Sequence, residues 1–246
     1  MNMPLISGHK GVIQDLSFSP FHDNMLATGS ADGSLKIWMI PEGGLSETLK
    51  DFDADLKGHT KKVMLMKWHP TANFTIGSTG LDGTFKIWDI QSEKCTMSYD
   101  TIGQAPWSME WNKNGSLMGL IAKDKKMHIF DPRQPATEAM VTQAHQGNKA
   151  QKLQWVGDTG KLITVGTSEY NERQYAIWDI RGDINTPLAM KKLDNHNLAM
   201  QTYFDDSTNM FYVVNRAQNF TQFFHFNDEG GSPDLTTLDK YAGKEN

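Results

Sequence analysis

Three histidines in this chain are each followed by an acidic residue and, six positions after it, a tryptophan. His9 precedes Asp32 and Trp38, and His59 precedes Asp82 and Trp88, every member offset by 50 residues from its counterpart. A hydroxyl accompanies each set: Thr28 or Ser30 in the first, with Ser30 taken as the member, and Ser78 or a neighbour in the second. His145, Glu172 and Trp178 form a partial third set. Histidine, carboxylate and hydroxyl together are the ingredients of nucleophilic hydrolysis. Two features point elsewhere. Active-site sets do not recur with every structural repeat, and an indole N–H has no part in hydrolysis. The sets are therefore read as structural tetrads that satisfy buried polar groups and tie strands together.

The elements that must position these residues are short alternating segments. Gly58-His59 opens a unit that runs through Val63 to Trp68, Pro70 and Gly77-Ser78 to Asp82-Gly83, and closes on Ile87-Trp88-Asp89. Gly8-His9 opens the same unit upstream, with Asp32-Gly33 and Ile37-Trp38 in the same places. A Gly-His opening, a Trp-Asp close and three short strands between describe one four-stranded blade of a WD40-type β-propeller. The third copy is worn, with Phe130-Asp131 replacing Trp-Asp and Asp124 in the acidic place. The fourth opens on Ala144-His145, and the fifth carries Gln218 where an acid is usual. Blades are expected at 8–57, 58–100, 101–143, 144–193 and 194–229, with a polar extension at 230–246 that supplies a possible outer strand. In the first blade, strands are expected near Val12–Phe18, Met25–Ser30, Ser34–Met39 and Ser46–Phe52. Residues 1–7 read as an outer strand without its own blade. The fold class is all-β, about five blades, an incomplete or open part of a larger propeller.

Composition narrows the function classes. The chain has 246 residues, 38% of them hydrophobic, with a net charge of -5. No global basic field argues for nucleic acid or an anionic membrane as a partner. Cys95 is the sole cysteine, so no intrachain disulfide can form, which suits a reducing, cytoplasmic setting. No Cys or His spacing suits a metal, and no glycine-rich phosphate cradle occurs. A non-enzyme without cofactors is expected.

Finer details resemble one family. Gly8-His-Lys-Gly11, Ser19-Pro-Phe21, Ile37 to Leu45, Gly58-His-Thr-Lys-Lys-Val63, Trp68-His-Pro-Thr-Ala72, Trp111 to Leu117, Asp131-Pro-Arg133, Ser168 to Asp179 and Phe223 to Phe226 with Tyr241 to Glu245 are similar to coronins. The coronins are actin-binding propeller proteins. The resemblance covers essentially the whole chain but only the middle blades of a seven-bladed ring. It implies actin filaments as partners and a role in the actin cytoskeleton. The family's first blade, closing blade, C-terminal extension and coiled coil are not matched, so the actin contacts of that first blade are not inherited here. The alternative is a generic WD-repeat scaffold in another multiprotein complex.

Basic clusters occur at Lys61-Lys62, Lys123 with Lys125-Lys126, Arg133, Lys149 with Lys152, and Lys191-Lys192. Lys10, Lys61, Lys62 and Lys149 each follow the histidine of their blade and are expected to share one face, the candidate partner-binding surface. The Lys123–Lys126 turn is expected at the opposite end of its blade. Trp107 is a candidate aromatic anchor.

Overall fold

The computed structural model describes residues 3–100, 102–134, 138–194, 200–215 and 220–242. Gln218 and residues 243–245 lie outside the described residues. Five four-stranded antiparallel sheets follow one another along the chain, each with its strands in sequence order. The first holds β1 (Ile13–Phe18), β2 (Met25–Ser30), β3 (Ser34–Met39) and β4 (Ala54–Lys57), and the second β5 (Val63–Trp68), β6 (Thr75–Gly80), β7 (Phe85–Asp89) and β8 (Lys94–Tyr99). The third holds β9 (Pro106–Trp111), β10 (Met118–Ala122), β11 (Lys126–Phe130) and β12 (Glu138–Gln143). β13 (Lys152–Val156), β14 (Lys161–Thr167), β15 (Arg173–Asp179) and β16 (Ala189–Asp194) make the fourth. The fifth comprises β17 (Met200–Asp205), β18 (Met210–Asn215), β19 (Phe220–Asn227) and β20 (Asp234–Ala242).

The chain divides into two compact units. Sheets one and two lie in the first, Met1–Pro106 with Asp131–Thr137, and the other three lie in the second. Within each unit, apolar faces of neighbouring sheets enclose the core. Met25, Ala27 and Ile37 meet Val63, Met66 and Ile76 in the first unit. In the second, Ile121 and Ile129 cluster with Leu153 and Leu162, and Val165 and Ile177 with Phe204 and Phe211. β2, β10 and β14 are buried along their whole length, because a middle strand has pairing partners on both edges and side chains packed on both faces. That is why Met118–Ala122 reads as a continuous apolar run rather than an alternation.

Neighbouring sheets are also joined by directed bonds. In the first unit, Met66 N–H donates to Asp15 Oδ2 at 2.9 Å and Trp68 Nε1–H to the Ser17 carbonyl at 3.0 Å. In the second unit, Leu153 N–H donates to Ser108 Oγ at 3.2 Å and Trp155 Nε1–H to the Glu110 carbonyl at 2.9 Å. A register shift between Ile13 and Asp15 recurs between Val63 and Leu65, so the 50-residue repeat extends to its bulges.

Two placements differ from the sequence reading, and a third gives the possible outer strand of 230–246 its place. The outer strand of the first sheet is Ala54–Lys57, not Ser46–Phe52. Period-two burial decides this: Ala54 and Leu56 are buried, and Leu56 pairs with Leu35, whereas Ser46, Glu47, Thr48, Lys50 and Asp51 are exposed. Leu49 instead bonds the start of the chain, with Ser7 N–H donating to its carbonyl at 2.9 Å and its own N–H to Leu5 at 2.8 Å. The fifth sheet continues past residue 229, since β20 pairs along β19 as its fourth strand. Finally, the turn between second and third strands lies at the same end of a sheet as the loop that carries the histidine. Lys10 N–H donates to Asp32 Oδ2 and Leu81 N–H to the Lys62 carbonyl, each at 2.8 Å. Lys123–Lys126 therefore occupy the histidine-loop end of their sheet, not the opposite one: Ala144 N–H donates to the Lys125 carbonyl at 3.0 Å and Lys125 Nζ to the Gln146 carbonyl at 2.7 Å. In an antiparallel meander, the first strand begins where the second ends.

Gly83 shows how tightly these turns pack. Its φ is +76°, and a Cβ there would lie 2.7 Å from the Gly103 Cα. Gly43 has φ +87° with nothing within 4 Å of the same position. Gly43→Ala is expected to cost about 1 kcal/mol from backbone strain alone, and Gly83→Ala about 3 kcal/mol once the backbone clash is added. Urea midpoints of the two variants check this, with Gly83→Ala the lower.

Candidate functional site

At the histidine-loop end, the residues of the first set converge on one hydroxyl. Thr28 Oγ1 lies 2.8 Å from His9 Nε2 and accepts the Trp38 indole N–H at 2.8 Å. His9 Nδ1 lies 3.0 Å from Asp32 Oδ2. The hydroxyl of this set is Thr28; Ser30 has a separate task, its Oγ accepting Asp32 N–H at 3.2 Å. The two side chains share a face of the strand, so their depth along it decides the choice. Within β2, Thr28 lies level with the Trp38 indole, and Ser30 is two residues further along, at the turn.

The second set repeats this. Ser78 Oγ lies 2.8 Å from His59 Nε2 and accepts Trp88 Nε1–H at 2.8 Å, and His59 Nδ1 is 2.9 Å from Asp82 Oδ2. An ionised aspartate fixes the proton on Nδ1, so Nε2 accepts the serine proton. Each aspartate also caps its turn: Asp82 Oδ2 accepts Thr60 N–H at 2.9 Å, and Asp32 Oδ1 accepts Ser34 Oγ–H at 2.7 Å. Burial opposes ionisation of both carboxylates, but the hydrogen bonds from Ser34, Lys10 and His9 hold Asp32 far below the usual range. His59 and its neighbours do the same for Asp82. For His59 itself burial outweighs its aspartate, and its pKa is lowered.

The fourth sheet uses different chemistry. Thr164 Oγ1 bridges His145 Nε2 at 2.9 Å and Trp178 Nε1 at 2.8 Å. Glu172 does not reach the histidine; it receives Lys192 Nζ at 2.6 Å. Gln174 takes the position, its Nε2 lying 2.9 Å from His145 Nδ1. An amide donor at Nδ1 places the ring proton on Nε2, the reverse of the first two sheets. Sequence counting favoured Glu172 because it is six residues before the tryptophan, as are Asp32 and Asp82. The signal for Gln174 is its place four before the tryptophan, where Ser34 and Thr84 approach the other rings at 3.3 and 3.2 Å. In the third sheet, Asp124 Oδ2 lies 3.2 Å from His128 Nε2, and the His128 ring stacks on Phe130. Sequence reading missed His128 because it stands inside the strand rather than ahead of it.

The imidazoles of His9, His59 and His145 are each flanked on one side by the hydroxyl that also takes the indole, and on the other by an aspartate or glutamine. Among the described residues no group of three or more His, Cys, Asp or Glu side chains is placed to hold a metal.

The lysines form the exposed counterpart. Lys10, Lys61 and Lys62 are exposed at the histidine-loop end of the first unit. Lys149 is exposed at the corresponding end of its own sheet, where Gly147 N–H donates to the Thr167 carbonyl at 2.7 Å. Other basic residues are engaged locally. Arg133 makes a forked pair with Asp131, Lys152 Nζ donates to the Trp107 carbonyl, and Lys191 and Lys192 pair with Asp234 and Glu172. Trp107 is half-buried, packed against the edge of the core between sheets three and four.

Sheets of four strands cross-tied by imidazole, hydroxyl and indole are the architecture of WD-repeat proteins. The family model "WD domain, G-beta repeat" matches residues 3–39 and 51–89. The chain is 35% identical to bovine Coronin-2A over 243 residues, covering 97% of this chain and 45% of that protein. It is 30% identical to the coronin-like protein crn1 of Schizosaccharomyces pombe over 231 residues, covering 92% and 38%. The WD40 domain of Toxoplasma gondii coronin superposes with a TM-score of 0.89 at 31% identity, over 97% of this chain and 60% of that one. A chain of a mitotic checkpoint complex shares the fold alone, at TM-score 0.74 and 14% identity. The chain is a coronin homologue. It spans about half the length of the curated relatives it matches.

Burial holds His145 neutral, its pKa pushed down to about 4 from the usual 6.5. Between those values the unfolded chain binds a proton that the folded chain does not. Stability is therefore lost as pH falls from about 6.5 towards 4, by about 3 kcal/mol from this residue. The lowered aspartates act only below the ordinary carboxylate range. Gln174→Glu supplies the carboxylate that His145 lacks and is expected to reduce the loss between pH 7.5 and 5. Denaturant unfolding at both pH values tests this; an unchanged difference would refute the assignment.

Proposed function

We propose that this chain is a non-catalytic docking module that binds actin filaments, working in the actin cytoskeleton. The observation that carries this reading is the coronin identity along nearly the whole chain, joined to a rigid scaffold whose exposed loop ends carry lysines. Among the described residues, the ammonium groups of Lys10, Lys61, Lys62 and Lys149 have no ion-pair or hydrogen-bond partner, so they are free to meet an acidic surface. Scattered lysines also keep strand edges soluble. What favours docking is their position on loops fixed by buried tetrads, since a charge held in place steers association better than a mobile one. The histidines and aspartates serve by immobilising those loops. Contacts of this kind depend on several weak charges acting together, because a single rim charge contributes little.

Co-sedimentation with actin filaments tests the reading. The chain is expected to pellet at low salt and to release as ionic strength rises past about 0.15 M, where screening shortens to about 8 Å. Lys61→Glu with Lys62→Glu should weaken pelleting about tenfold, on the scale of two exposed charge pairs lost together. Salt-insensitive or absent pelleting by folded protein would favour the general WD scaffold instead.

A further inference from the structure

A cavity of about 290 Å³ opens at the histidine-loop end of the first unit. Its walls carry Lys10, Lys36 and Lys57 together with Asp32, Asp55 and the backbone of Gly33. A Cβ on Gly33 would lie 3.0 Å from the His59 carbonyl and 3.2 Å from the Lys61 carbonyl. The notch is thus built against the loop that carries Lys61 and Lys62.

An inventory of donors and acceptors states what such a notch can hold. A carboxylate offers about four acceptor positions, and those of Asp32 are filled: Oδ2 receives His9 Nδ1–H and Lys10 N–H, and Oδ1 receives Ser34 N–H and Ser34 Oγ–H. Asp55 Oδ2 receives both Lys36 Nζ at 2.9 Å and Lys57 Nζ at 2.7 Å, and its Oδ1 is buried out of reach. Asp32 is therefore spent on the protein itself, and Asp55 Oδ1, which has no hydrogen-bond partner among the described residues, is buried rather than offered to an incoming group. An ammonium has three N–H donors. Lys57 uses one on Asp55 and leaves its side chain three-quarters exposed. Lys36 uses one and rests 3.4 Å from the Phe52 ring centroid. Lys10 uses none among the described residues. What the notch has to spare is donors and positive charge.

We propose that this notch seats a carboxylate side chain from an acidic segment of a protein partner. The volume suits one or two side chains and is small for a nucleotide-sized ligand. The two aspartates in its wall favour a singly charged carboxylate over a doubly charged phosphate, whose second charge they would repel. This rests on the reading of the loop end as the docking surface and names the chemistry that would engage it there.

The test uses the whole chain and a fluorescent peptide of alternating Asp and Glu, with an Asn/Gln peptide of equal length as control. The acidic peptide is expected to bind and the neutral one not. Lys10→Glu should weaken that binding about tenfold, the scale of one charge-assisted contact replaced by repulsion. Lys94→Glu makes the same charge change on an exposed position of β8 outside the notch lining and should leave the affinity within about twofold, the scale of a single rim charge. Equal losses in the two variants would overturn the notch, as would displacement of the peptide by inorganic phosphate at lower concentrations than by acetate. Unchanged peptide affinity in Lys10→Glu would also overturn it, even if reversing Lys61 and Lys62 abolishes filament pelleting; the docking reading would then stand without the notch. Loss of peptide affinity in Lys10→Glu with filament pelleting intact would support the notch and separate it from the filament.

Discussion

A buried hydroxyl that faces both an imidazole and an indole is the bond on which this architecture depends. Thr28, Ser78 and Thr164 each take a tryptophan N–H from the third strand and a histidine ring from the loop ahead of the first. One oxygen thus joins three parts of a sheet that pair with each other only in sequence. Removing it leaves two buried nitrogen groups unpaired, each costing about 1–3 kcal/mol. The loop held this way is also the loop that presents the lysines. Buried order and exposed charge are two ends of one constraint.

The tolerance of the other half of each set is instructive. The imidazole is held by aspartate in two sheets and by glutamine in the fourth. A carboxylate and an amide demand opposite tautomers, yet the ring keeps its position because the hydroxyl can either donate or accept. The repeat survives substitution of its acid because its centre is amphoteric. On the other face of the same strand, Arg173 is fully buried and bonded to Asp194 and Asn215. That is a strong tie within the second unit, at a position no repeat count would single out.

Much of this was legible before any coordinates. The two units that run from Gly-His to a closing tryptophan point to the fold class and the strand order, because a 50-residue offset shared by His, Asp and Trp leaves little freedom. Where the reading slipped, the reason is local. Sequence places the outer strand of the first sheet near Ser46–Phe52, but burial follows Ala54 and Leu56. Ser30 and Thr28 differ by two residues on one strand, a distinction set by the depth at which the indole enters. Glu172 lost its place to Gln174 because hydrogen bonding follows geometry around the ring and not the count from the tryptophan. The end of the sheet on which Lys123–Lys126 fall follows from antiparallel order alone.

The indoles of Trp68 and Trp155 cross to the preceding sheet and bond main-chain carbonyls, those of Ser17 and Glu110. Serine and glutamate have nothing in common as side chains, and nothing is asked of them. The receiving strand can change its residues freely as long as its backbone keeps the same path, while the donating tryptophan cannot. Sequence drift is thereby channelled in one direction along the chain, and adjacent repeats can grow unlike each other without losing their joint.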